Sequence, residues 1–332
     1  MSVFIAGGCG FIGLNLAEAW LRRGEHVVLF DRNPLHVEAA RAFAALPGSL
    51  EVVQGDVQDA AMIGTALNAA APDVVFYGAA LTSGPDRERT HPEQVLGVNL
   101  MGLTHVLTAA AARPVTRLIN ISSGAAYGPS RLGVGWSGPL REEETPSAPD
   151  SLYGISKLAS EQVVRRYAAL SGLDAISVRL AAIYGPWEID SGARDTLSPQ
   201  MQAALLALDG GTAILPRRDR QDWTYSRDVA AALVALAKAP ELAHDLYHVS
   251  CGTGWAVADW CARLGERYPD FSYRLAEAGE APTVNLHGDK DRLPMSTERL
   301  VRDVGHRLPD DLDLCLTDYL DWMQAHAAFW RD

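Results

Sequence analysis

Cysteine is scarce in this chain: there are four residues, Cys9, Cys251, Cys261 and Cys315. None forms a C-x-x-C pair or falls at a Cys/His ligand spacing, so reduced, packed thiols are expected in place of a zinc site or disulfides, and no metal site is anticipated. Continuous apolar runs of the roughly 18 residues that suggest a membrane span are missing, and Ser2-Val3-Phe4-Ile5-Ala6 is too short for a signal-peptide core. A cytoplasmic location without a membrane partner is the expectation. Positive charge is also in deficit, with 29 Lys and Arg against 41 Asp and Glu and a formal charge of -12. No cluster of Lys and Arg supplies the basic stripe that phosphate backbones need, which argues against a nucleic-acid partner. Internal repeats and low-complexity tails are lacking as well. What remains is a globular composition, 48% hydrophobic over 332 residues, enough for one sizeable core or two interlocked ones.

Glycine, by contrast, is concentrated at the start. The apolar run 2–6 leads directly into Gly7-Gly8-Cys9-Gly10-Phe11-Ile12-Gly13 and then an apolar helical stretch to Trp20. Strand, glycine turn and helix form the opening of a dinucleotide-binding fold. Glycines permit the tight turn, let a pyrophosphate approach the backbone, and at Gly13 let the helix pack closely on the sheet with its N-terminal amides toward the anion. Both a G-x-G-x-x-G reading (Gly8, Gly10, Gly13) and a G-x-x-G-x-x-G reading (Gly7, Gly10, Gly13) fit. A second strand, His26 to Phe30, ends on Asp31, which lies 18 positions after Gly13. That is close to the spacing of about 20 at which a carboxylate meets the adenosine ribose. A carboxylate there favours NAD over NADP, with the adjacent Arg32 as the residue able to offset its repulsion of a 2′-phosphate.

Strand and helix alternate regularly from there. Strands are expected at Leu50 to Gln54, Val74 to Tyr77, Arg117 to Ile121 and Ala175 to Arg179, with long helices around Gln94 to Ala112 and Ser151 to Leu170. Such alternation implies a doubly wound α/β fold of Rossmann type, a parallel sheet covered on both faces with a crevice at the strand carboxyl ends. Residues Pro129 to Pro149 read as a surface excursion. After Leu180 the pattern loses regularity. The helix Asp228 to Lys238, with Asp228 as its N-cap, and the strand Leu246 to Ser250 return to the first unit. Residues 1–179 plus 228–250 are therefore the expected NAD-binding domain, and 180–227 plus 251–332 a smaller mixed α/β substrate lobe.

Tyr153 and Lys157 decide the chemical class. They stand four apart on one helical face. A phenol, with a reference pKa of about 10, becomes a usable base only when a nearby ammonium stabilises its phenolate. It then removes a hydroxyl proton while hydride leaves the same carbon for nicotinamide, and Ser123 hydrogen-bonds the same substrate oxygen.

With these residues in view, the chain resembles an extended short-chain dehydrogenase/reductase of the NAD-dependent epimerase/dehydratase family. The resemblance rests on the glycine turn, on Gly55-Asp56-Val57, Ala79-Ala80 and Asn99, on Ser122-Ser123-Gly124-Ala125-Ala126-Tyr127-Gly128, on Tyr153-x-x-x-Lys157, on Tyr184-Gly185-Pro186, and on Asp222 to Ala230. It implies catalytic Ser123, Tyr153 and Lys157. It implies cofactor contacts from Gly7, Gly10, Phe11, Ile12, Gly13, Asp31, Arg32, Asp56, Val57, Ala79, Ala80 and Asn99 together with Tyr153 and Lys157, and a homodimer through the two long helices. Thr82, Ser123, Trp187 and Arg292 are the candidate substrate contacts.

Departures from the family pattern bear on the substrate. Dehydratases of the family place an acid beside the catalytic Ser or Thr, where this chain has Gly124-Ala125. Nucleotide-sugar enzymes commonly place Asn and Arg where Ala182 and Gln221 stand, although Arg217, Arg218, Arg220 or Arg292 could take over a phosphate. The expectation is an NAD-dependent oxidation of a secondary alcohol in a small carbohydrate-like substrate (sugar, sugar acid or hydroxy acid). The alternative is a nucleotide-sugar 4-epimerase with tightly held NAD, and a more distant one is a non-catalytic NAD-binding sensor or scaffold.

Overall fold

A computed structural model describes residues 1–331 apart from 134, 191, 194, 195 and 287. Its centre is a sheet of seven strands: β1 (Ser2–Ala6), β2 (His26–Asp31), β3 (Ser49–Gln54), β4 (Val74–Tyr77), β5 (Arg117–Ser123), β6 (Ala175–Leu180) and β7 (Leu246–Val249). They lie in the order β7-β6-β5-β4-β1-β2-β3, and every neighbouring pair is parallel. The chain winds outward from β1 to β3, then restarts at β4 on the other side of β1. The carboxyl ends of β1 and β4 thus flank the point where the winding reverses, the place at which such sheets open a crevice.

Period-two alternation decides which face each strand residue serves. Val3, Ile5, Val27, Leu29, Val74 and Phe76 enter one buried cluster, which continues into the second lobe through Tyr184, Trp187, Trp223 and Trp260. Phe4, Ala6, Val28, Phe30, Val75 and Tyr77 point the other way, into a second cluster. The first cluster is covered by α1 (Phe11–Leu21) and α2 (Val37–Ala44), the second by α3 (Ala60–Ala70), α4 (Pro92–Ala111) and α5 (Leu152–Ser171). By length and mean hydropathy α4 would suffice to cross a membrane, although it is no continuous apolar run. In the fold its Val95, Val98, Leu103, Val106, Leu107 and Ala110 are packed in the second cluster.

The other lobe is assembled from three two-stranded pairings and the helices around them. Ala182–Tyr184 pairs with Trp223–Tyr225, Arg220–Gln221 with Trp255–Ala256, and Thr212–Leu215 with Ser272–Leu275. Among the described residues α6 (Pro199–Leu208) belongs to this lobe, α7 (Ser226–Lys238) returns to lie against α1 of the first unit, and α8 (Val257–Arg267), α9 (Glu298–Val304) and α10 (Leu312–Ala325) follow. Two expectations are corrected here. Asp228 is not the N-cap of α7; Tyr225 holds that place and Asp228 sits in the first turn, where burial and the charge of Asp318 push its carboxyl up to about 6. The stretch 129–149 is more than a surface excursion, because Leu140 is buried against Met295 and the buried Glu142 accepts the backbone N–H of His248 on β7.

Candidate active site

The glycine turn is shaped by contact with the chain itself. Gly7 has φ +80°, and a Cβ there would stand 2.4 Å from the backbone nitrogen of Ala79 at the end of β4. A Cβ on Gly13 would stand 2.4 Å from Gly7 O, so α1 could not approach the turn. Gly10 differs: a Cβ there would meet Gly7 O alone, at 3.4 Å, and would otherwise project into open space. Gly10 is also the N-cap of α1, with no side chain capping the helix and no acidic residue in its first turn. The start of α1, at Gly10, Phe11 and Ile12, is therefore a cradle whose electrostatics suit an anion. At the end of β2 the Asp31 carboxylate accepts the Cys9 N–H at 3.0 Å and the Asn33 N–H at 2.9 Å. Both oxygens are thus fixed, and each keeps a lone pair for a ribose hydroxyl. Burial raises the Asp31 pKa while these amides and Arg32 oppose the rise. The same carboxylate helps burial push the Cys9 thiol up to about 12, which leaves that thiol an inert filler of the turn.

Along the crevice, Asp56 accepts the Gln58 N–H at 2.9 Å and is half-buried. Val57 turns its side chain into the core and its carbonyl is bonded to His105, so its backbone is the part that borders the crevice. Ala79 and Ala80 are half-buried beyond β4. Their walls and the α1 cradle together fit a dinucleotide lying across the carboxyl ends of β1, β2 and β4.

Ser123 ends β5, half-buried, and its Oγ accepts the Ala125 N–H at 3.1 Å. The first turn of α5 is pressed against this strand end. A Cβ on Gly154 would stand 2.6 Å from Ala125 O, so the residue after Tyr153 must be glycine for the helix to come so close. Lys157 is 3% exposed; its Nζ lies 5.7 Å from the centre of the Tyr153 ring and donates to Ile121 O at 2.7 Å. Ser123, Tyr153 and Lys157 are thereby gathered at one end of β5. Burial lowers the Lys157 pKa to about 8, against the opposing charge of Glu161.

Two further expectations are corrected. Asn99 is not presented to the crevice: it is buried in a π-helical stretch of α4, Gly97–Gly102, and its amide makes three bonds within the protein. Its Oδ1 accepts the Leu81 N–H at 2.8 Å, and its Nδ2 donates to Leu81 O at 3.1 Å and Ser156 Oγ at 2.9 Å. Asn99 braces the end of β4 against α5. Trp187 does not line a substrate site either. It is 1% exposed, its indole donates to Glu18 at 2.7 Å, and its ring packs among Phe43, Trp322 and Phe329. Thr82 is half-buried, and its N–H and hydroxyl both donate to Ala193 O of the other lobe, at 3.0 and 3.1 Å. Arg292 and Arg217 place their charges, and Gln221 a hydrogen bond, around the buried Asp219, whose pKa burial raises against their pull.

Sequence reasoning passed over Ser156 and Glu161. Glu161 was marked by its spacing, since Tyr153, Lys157 and Glu161 recur at intervals of four along one face of α5.

Comparison with known proteins agrees with this fold. The chain is 26% identical to a dTDP-glucose 4,6-dehydratase of Mycolicibacterium smegmatis over 100% of its own length and 96% of that protein. It is 27% identical to a dTDP-L-rhamnose 4-epimerase of Burkholderia thailandensis over 80% of its length and 81% of that protein. Its fold superposes on a UDP-glucose 4-epimerase of Thermotoga maritima solved with UDP-glucose, with a TM-score of 0.81 at 21% identity, covering 98% of this chain and 100% of that one. Residues 3–252 match the family model described as the NAD dependent epimerase/dehydratase family, and with that match the chain belongs to that family.

Proposed function

We propose that this protein oxidises a secondary alcohol of a sugar reversibly, using NAD held along the crevice from Gly10 to Ala80. NAD supplies the hydride acceptor; the chain supplies the base and its alignment. The observation that carries this reading is the seating of Lys157 between Ile121 O and the Tyr153 ring beside Ser123. Tyr153 removes the hydroxyl proton, the Lys157 ammonium stabilises the phenolate, and Ser123 holds the substrate oxygen in line.

The fate of the oxidised sugar defines the reaction. The relatives favour a nucleotide-sugar substrate and 4-epimerisation over the release of an oxidised small carbohydrate, and this is the leading reading. Dehydration, the activity named for the M. smegmatis relative, has less support from the residues because Gly124 and Ala125 follow Ser123 without a carboxylate. A specific observation favours the small-carbohydrate reading as the second one. Gln221 donates from Nε2 to both oxygens of Asp219 at 2.8 Å, Arg217 is paired with Asp219 and Asp291, and Arg218 donates to Asp259 at 2.8 Å. Two of the four arginines that could meet a diphosphate, Arg217 and Arg218, are thereby paired within the protein, and Gln221 is turned to Asp219.

A panel of UDP-, GDP- and dTDP-sugars against free sugars, sugar acids and hydroxy acids separates the readings, with nicotinamide absorbance and product stereochemistry followed together. Inversion of a nucleotide sugar with no net NADH supports the epimerase. Stoichiometric NADH from a small carbohydrate establishes the second reading, and no turnover of any alcohol, with NAD still bound, would leave a sensor or scaffold.

A further inference from the structure

The stripe that carries Tyr153 and Lys157 continues one turn further to Glu161, and α5 turns this residue toward the sheet. Glu161 is 5% exposed and Arg179, on β6, is 2% exposed. Glu161 Oε1 accepts the Ser122 hydroxyl at 2.6 Å and Arg179 Nε at 2.8 Å, and Oε2 accepts Arg179 Nη2 at 2.7 Å. The guanidinium lies 4.2 Å over the ring of Tyr127, which leaves the pair little freedom to rearrange. Ser122 precedes Ser123 on β5. One carboxylate therefore bonds the strand that presents Ser123 and stands one helical turn from Lys157.

Lys157 needs such a neighbour. Its ammonium is buried, which disfavours the charge, and the carbonyl to which it donates, Ile121 O, supplies no counter-charge. The charged and titratable groups around it and Glu161 are Tyr153 and Arg165 on α5, Arg179 from β6, Tyr127 from the segment after β5, Glu142 from the 129–149 stretch, and His248 from β7, which burial keeps neutral. Glu161 is the anion whose charge acts on Lys157 directly.

We propose that Glu161, fixed by Arg179 and Ser122, is a positioning residue that keeps Lys157 charged beside Tyr153 and ties that charge to the strand end bearing Ser123. The proposal rests on the Ser-Tyr-Lys reading of the site, and it is tested on the unliganded protein as well as on turnover. The Lys157 side chain is titrated by NMR in the native chain, in Glu161→Asp and in the double variant Glu161→Gln with Arg179→Met, which avoids a buried unpaired guanidinium; circular dichroism checks the fold of each. The expected titration midpoint falls by about one unit in the double variant and by less in Glu161→Asp, where the carboxylate is withdrawn by one methylene. The alkaline limb of turnover moves to lower pH in the same order. Either variant alone suffices: a midpoint that stays at the native value in a folded variant overturns the proposal. Tyr153→Phe separates the two readings, since full turnover without the phenol refutes the chemistry, whereas unmoved Lys157 midpoints refute the role of Glu161 while Tyr153→Phe remains inactive.

Discussion

Tyr153 and Lys157 were legible in the sequence because their chemistry demands one helical face, and the fold supplies the remaining condition, a buried ammonium. Replacing Tyr153 by Phe keeps the ring and removes the proton acceptor. Turnover is expected to fall by about 10²-fold or more, with NAD affinity nearly unchanged because the α1 cradle and Asp31 lie elsewhere. Stopped hydride transfer together with intact NAD binding by calorimetry is the signature. The expectation for Asp31 has the same kind of ground: a carboxylate at the end of β2 stands where a ribose hydroxyl would reach it. NAD should bind more tightly than NADP, and Asp31→Ser should narrow that ratio by about tenfold, ~1.4 kcal/mol. Equal affinities in the native chain would mean that Arg32 offsets the carboxylate. Trp187 and Asn99 were misread for a physical reason as well. A large aromatic and a helix amide look alike in sequence whether they meet ligand or core, and the contacts that decide come from segments as distant as Glu18 and Phe329, or Leu81 and Ser156.

At the level of elements, local patterns located the seven strands to within two residues, because alternation and glycine-rich ends are local signals. The π-helical stretch of α4 and the inward anchoring of 129–149 were not local. The second depends on β7, whose buried His248 joins three pieces of chain. Its Nε2 is bonded to Tyr127 OH at 2.7 Å, its Nδ1 to Ser296 O at 2.9 Å, and its N–H to Glu142 at 3.2 Å. Burial lowers the His248 pKa from its ordinary value of 6.5 to about 3. The folded form thus binds this proton less readily than the unfolded chain. Its contribution to stability is present in full above pH 6.5 and is lost as the pH falls from there through about 3. Chemical unfolding at pH 7 and pH 5 should show a loss of stability on acidification that is smaller in His248→Gln, an amide that retains one bond to Tyr127 or Ser296. An identical loss in the variant would assign the acid sensitivity to other groups.

For the whole molecule, the apolar side chains that α4 and α5 leave open to solvent argue for a second copy of the chain. Helix α4 is apolar enough to span a membrane by mean hydropathy, yet only 39% of its most apolar stretch is buried. Met101 on α4 is 52% exposed and Ile155 on α5 is 45% exposed, both large apolar side chains open to solvent. Covering them costs no desolvation of charge and removes apolar area worth about 25 cal/mol per Å² from water. Two helices pairing with their symmetry mates would form a self-complementary interface of the kind two-fold dimers use, and stable interfaces bury about 800 Å² on each partner. The same helix α5 carries Tyr153 and Lys157, so pairing would also stiffen the catalytic turn. The expected result is a dimeric mass by light scattering at micromolar concentration and a monomeric mass for Met101→Glu with Ile155→Glu. Because neither residue belongs to the core clusters, the variant should fold with the native circular dichroism spectrum. A monomeric mass for the native chain at that concentration would overturn the dimer.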